Sequence, residues 1–173
     1  MSFLVFAQGN AVDLDRVAVA NNAARFFGAT VAFVAPESGD AGEPESEPEA
    51  IGERVHHVSI GTAALPTRVL RVVGRMASTD DTFAADRAEA SAPPGTAAGL
   101  AALASRCQVV FTIDATSADD RTALLLAAVL ATVTLGPILG APRSSGSESE
   151  EREIFGVRTA RTKLETTGVP YRS

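Results

Sequence analysis

Along this chain, short continuous apolar runs alternate with longer stretches whose apolar positions recur three and four apart. Residues 3–7, Phe-Leu-Val-Phe-Ala, are the first continuous run. A strand apolar on both sides is expected where helices cover both faces of a sheet. Gln8, Gly9 and Asn10 break the run, and Gly9 tolerates turn conformations closed to other residues. Over 12–27, Leu14, Val17, Ala20 or Asn21, Ala24 and Phe27 define one apolar stripe of a helix. Asn10 or Asp13 is placed to cap it and Gly28 to end it. Residues 29–35 have the β-branched and aromatic content of a second strand, closed by Pro36. Strand, helix and strand in this order predict a parallel pair joined by a right-handed crossover.

The later pattern extends this frame. Residues 54–60 alternate as a third strand, with Val55, His57 and Ser59 on one face and His56, Val58 and Ile60 on the other. Residues 67–77 are read as a helix with Leu65, Val69, Val72, Val73 and Met76 inward. Arg68, Arg71 and Arg75 then form a basic ridge. Residues 96–106 predict a short helix with Leu100 and Leu103 inward, and 108–113 the clearest late strand. Ser117 and Asp120 are spaced like a capping box before the next helix. Positions 122–142 carry no formal charge. Their Ala and Thr content and the Gly136-Pro137 break favour a helix buried in the domain or facing an oligomer partner over a membrane span. Residues 154–158 predict an edge strand. The expected fold is α/β: a three-layer, Rossmann-like, mostly parallel sheet with flanking helices, in one domain over 1–173. Polar excursions are expected at 36–53, 78–94 and 141–153.

Charge sharpens the reading of the excursions. The net charge is -6, with 15 Lys and Arg against 21 Asp and Glu. Seven of the acids lie in 36–53, which has no base. That segment reads as an exposed acidic insertion or as an arm for a basic partner. An acidic chain is a poor nonspecific nucleic-acid binder, although a local arginine site is compatible with it. One cysteine excludes an intrachain disulfide framework, and Cys107 reads as a small buried side chain. No secretory signal pattern opens the chain, and an intracellular, soluble protein is expected.

Site chemistry is sparse. There is no dinucleotide fingerprint, phosphate-loop lysine or nucleophile elbow. His56 and His57 point to opposite faces and lack metal-ligand companions, so no metal is expected. Asp114 lies at the carboxyl edge of the late strand, the usual ligand side of a parallel sheet. With Gly9 and Asn10 it forms the candidate ligand-binding set. These features point to a non-catalytic interaction or small-ligand-binding module in a larger assembly, with a protein partner or a homo-oligomer.

Over Val17 to Gly28, the helix with Ala18, Ala24 and the Phe27-Gly28 ending resembles the first helical region of knotted SpoU-type RNA ribose methyltransferases. The strand and helix over 109–130 offer a topological parallel. The resemblance implies an S-adenosylmethionine-binding knot, dimerisation and RNA as substrate. Arg16 and Asn22 stand where that family's pattern favours Asn and Arg. Under this alternative, Arg68, Arg71 and Arg75 would contact RNA phosphates.

Overall fold

The computed structural model describes residues 1–35, 52–143 and 151–166. Their elements are, in chain order, β1 (Ser2–Ala7), α1 (Arg16–Phe27), β2 (Thr30–Val34), β3 (Arg54–Gly61), β4 (Arg68–Met76), α2 (Thr79–Ser91), α3 (Leu100–Ala104), β5 (Val109–Asp114), α4 (Arg121–Thr134), β6 (Ile138–Leu139), β7 (Ile154–Phe155) and α5 (Val157–Glu165). The strands form one open sheet in the order β2-β3-β4-β5-β1-β6-β7. Every neighbouring pair is antiparallel. The expected mostly parallel, Rossmann-like sheet is therefore wrong. β1 and β2 do run in one direction, but β3, β4 and β5 lie between them. A continuous apolar run reports that both faces of a strand are covered; it carries no information about the direction of its neighbours.

The expected helix over 67–77 is also corrected, because this stretch is β4. Leu70 and Val72 alternate into one face, and Val69, Val72 and Val73 are β-branched. The decisive position is Gly74. A Cβ there would sit 2.0 Å from the carbonyl oxygen of Val12 and 2.8 Å from the Phe111 ring. The loop after β1 crosses the sheet at this point, and only a residue without a side chain lets it pass.

Two helical layers cover the sheet unequally. On one face, α1, α4 and α5 pack on Phe3, Val5, Ala7, Val109, Phe111 and Ile113. α4 is the centre of this layer. Its residues from Leu125 to Ala131 are all buried, flanked by α1 and α5. The uncharged stretch is thus explained by burial inside the domain. No helix among the described residues is long and apolar enough to cross a membrane. On the opposite face, Leu4, Phe6 and Val110 meet Ala85 and Ala88 of α2 and Ala101 and Ala104 of α3. α2 occupies most of the expected excursion at 78–94. Its alanines give close packing, and Ser78 with Asp81 closes a capping box at its start. Alanines, rather than Leu100 and Leu103, make the buried side of α3. The excursion over 36–53 lies almost wholly outside the described residues, as do 144–150 within the excursion at 141–153.

Helix ends follow local chemistry. Asp15, rather than Asn10 or Asp13, caps α1 by accepting from the Val17 and Ala18 amides. Gly28 ends it with φ of 58°. β7 is a two-residue edge strand, shorter than the one expected over 154–158, because α5 already begins at Val157.

The loop crossing at Gly74 gives a direct test. Gly74→Ala forces backbone atoms apart and should cost roughly 1–3 kcal/mol, as overpacked positions do. Urea denaturation should show a lower midpoint with an unchanged slope; an unaltered midpoint would mean that the loop does not rest on β4.

Candidate ligand cavity

Strand geometry first redistributes the three arginines. In a strand, side chains alternate, so Arg68 faces the α1, α4 and α5 layer while Arg71 and Arg75 face the other side. They do not form one ridge. Arg68 donates to Asp120, whose carboxylate is buried at the start of α4. Arg75 grips Asp81 at 2.7 and 2.8 Å through both terminal nitrogens. Arg71 lies 3.7 Å from Asp114, and both are substantially exposed. Each arginine therefore has a carboxylate of its own, which lowers its attraction for an RNA phosphate.

Asp120 and Asp81 are structural anchors. Burial opposes ionisation of Asp120, but bonds from Arg68, the Thr116 amide and hydroxyl and the Ala123 amide outweigh it. Its pKa is lowered to about 2. At Asp81, burial is likewise overcome by Arg75 and by the amide and hydroxyl of Ser78, and the pKa is again lowered.

The antiparallel sheet also separates the proposed ligand residues. Asp114 is the register partner of Ser2, at the beginning of β1, whereas Gly9 and Asn10 follow its other end. The length of β1, six residues, keeps them roughly 17–20 Å apart along the strand. They do not form one site. The carboxyl-edge rule that nominated Asp114 applies to parallel sheets and has no force here.

A cavity lies near the Ser2 end of β1, beside β6 and β7. It has a volume of about 980 Å³. Its walls come from the α2 carboxyl end, the first turn of α4, the residues after β6, the strand β7 and α5. Four cationic side chains line it: Arg121, Arg143, Arg152 and Lys163. Asp119, Glu151 and Glu153 stand among them. Arg143 lies 3.3 Å from Asp119, and Lys163 donates to Glu153 at 2.8 Å while its Nζ sits 5.2 Å from the centre of the Phe155 ring. Phe3 and Leu124 add apolar wall. Arg143 and Glu151 form an antiparallel bridge, which gathers the two ends of the excursion at 141–153 onto this cavity. None of these bases was singled out from sequence. They are scattered over more than forty positions, and only the fold of β6, β7 and α5 assembles them. Their one sequence signal is that Arg143 and Arg152 bracket an acidic, serine-rich segment.

The lining is rich in charged hydrogen-bonding groups. Guanidinium groups present paired donors suited to carboxylate or phosphate. The lining residues include neither His nor Cys. Cys107 is buried elsewhere, and burial pushes its thiol pKa up, away from thiolate chemistry. Among the described residues, no three His, Cys, Asp or Glu side chains gather as a metal site.

Toward the β2 edge of the sheet, across the strand order from β6 and β7, His56 is buried beside Asp13. Its Nε2 is 3.3 Å from Asp13 Oδ1, but the alignment is not that of a hydrogen bond. Burial lowers the His56 pKa, Asp13 opposes that shift, and Arg16, Arg54 and His57 reinforce it. His57, on the other face of β3, is half-buried.

Comparison with protein-family models, curated proteins and solved structures gave no match. The SpoU resemblance therefore gains no support from them, and the Rossmann-like frame expected beside it is absent.

Two pH effects follow. Asp120 is depressed from 3.8 to about 2, so its contribution is present above 3.8 and is lost as pH falls through about 2. At roughly 1.4 kcal/mol per unit, that amounts to about 2 kcal/mol. Asp120→Asn should be less stable at neutral pH and show a shallower acid loss in urea titrations. The His56 shift has the opposite chemistry but the same direction: the unfolded chain takes up a proton near 6.5 that the folded chain resists. Stability should fall as pH drops below that value, and His56→Leu should flatten this part of the profile. An identical slope in the variant would refute the assignment.

Proposed function

We propose that this protein is a non-catalytic module of a larger assembly that binds a small organic anion in the cavity between α4, α5 and the β6 and β7 strands. The observation that carries the reading is the convergence of Arg121, Arg143, Arg152 and Lys163 on a cavity of about 980 Å³ with apolar wall. This volume is in the range of small-molecule sites, and such sites commonly combine apolar lining with a few polar groups that fix orientation.

The acids shape the ligand. Asp119 and Glu153 already engage Arg143 and Lys163, so an incoming anion must compete with carboxylates of the chain itself. Binding is then selective for a ligand that engages several bases at once, such as a phosphate ester or a dicarboxylate, over a monovalent ion. It is also weakened by salt. A ligand carrying an apolar group gains further from Phe3, Leu124 and Phe155.

Calorimetric titration of the full chain with inorganic phosphate, nucleoside phosphates and dicarboxylates tests this. Saturable binding is expected for at least one class, and Arg143→Gln combined with Lys163→Gln should weaken it at least tenfold without changing the circular dichroism spectrum. Heat signals that are absent throughout the panel, or unaffected by the double variant, would overturn the reading.

A further inference from the structure

The sheet ends on one side in β2, and this edge has an unusual composition. Thr-Val-Ala-Phe-Val contains no charge and no proline, two devices that keep edge strands from pairing with other chains. Its register against β3 is continuous from Thr30 to Val34, without a bulge. Thr30, Ala32 and Val34 are exposed on the face that α2 and α3 leave uncovered. Val31 and Phe33 lean on the other core beside α1. Among the described residues, no strand pairs with the outer side of β2.

We propose that β2 is a homodimer edge, pairing antiparallel with β2 of a second copy about a two-fold axis through Ala32. The strand suits its own reverse. Centring on Ala32 sets Thr30 against Val34 and Val31 against Phe33, so β-branched and aromatic side chains meet across the ladder. Among two-fold registers that keep each face on its own side, this is the one that pairs all five residues. The dimer sheet would then run continuously through both copies.

α1 supplies the second argument. It lies above β2, with the Arg16 guanidinium 5.2 Å from the Phe33 ring centre. An axis perpendicular to the sheet keeps both α1 helices on the same side and sets them antiparallel. The amino end of one, with exposed Asp13 and Asp15, then faces the carboxyl end of the other, where Arg25 is exposed. Charges and helix dipoles are both complementary in that arrangement. The outward side of α1 fits as well. Val17 is 70% exposed, and Asn21 and Ala24 follow it at helical spacing. An antiparallel pair centred near Asn21 sets Val17 beside the small Ala24 of its twin. The occupant is therefore a second copy, because strand and helix are each complementary to themselves under the same axis.

The test needs only the full chain. Light scattering coupled to gel filtration should give twice the 17.8 kDa chain mass at high micromolar concentration. Ala32→Cys should then oxidise almost completely to a disulfide-linked dimer, because directly opposed Cβ atoms lie about 4.5–5.5 Å apart. Thr30→Cys is the control: its twin is displaced by four residues, about 14 Å, and should stay reduced under the same conditions. Both positions are exposed, and circular dichroism verifies that the variants fold. A monomer at every concentration overturns the proposal. So does a dimer in which the Ala32→Cys variant does not crosslink, or one in which the two variants crosslink equally. None of these outcomes bears on anion binding, because the cavity lies at the other side of the sheet.

Discussion

Burying a carboxylate is costly unless charge and hydrogen bonds compensate it, and Asp120 shows how this molecule meets that constraint. One side chain accepts from the Arg68 guanidinium on β4, from Thr116 in the preceding loop and from the free amide of Ala123 in α4. Removing any partner leaves part of an ionised group unmatched inside the protein. The direction in which α4 leaves the loop is thereby tied to one end of β4. At the other end, Arg75 and Asp81 do the same for α2 on the opposite face. A single strand thus holds a helical layer on each side of the sheet, through two arginines that point in opposite directions.

This arrangement explains which parts of the fold were legible in the sequence. Elements whose signal is local were readable: the apolar run of β1, the amphipathic α1 with Gly28 as its stop, and the alternating faces of β3. β4 was misread because Val69, Val72, Val73 and Met76 satisfy helical spacing, while Leu70, Val72 and Gly74 satisfy strand alternation. The pairing of this stretch with β3 and β5 on its two sides, which local spacing does not encode, makes it a strand. Strand direction was not legible for a related reason. It depends on which strands become neighbours, and β2 and β3 pair across the long acidic segment rather than across a short turn.

The candidate site was less legible still. Gly9, Asn10 and Asp114 were grouped by a rule about parallel sheets, and reversing one strand sends its end to the far side of the molecule. The bases that line the cavity come from the start of α4, from the residues after β6 and before β7, and from α5. Their spacing along the chain has no period because no single element carries them. The acidic, serine-rich segment that Arg143 and Arg152 bracket was the one local trace of these bases in the sequence.

The place of β1 in the sheet has a consequence for biogenesis. Its register partner for Ser2 is Asp114, and its other neighbour, β6, begins at Ile138. On a ribosome that adds roughly 5–20 residues each second, the apolar Phe-Leu-Val-Phe-Ala segment emerges several seconds before either flank exists. Until then both of its ladders are open, and the nascent chain displays an uncharged, adhesive strand. Production of this protein is therefore expected to depend on translation speed and on chaperones that occupy short apolar segments. The same central position that buries β1 between two neighbours in the finished molecule leaves it unpaired during synthesis.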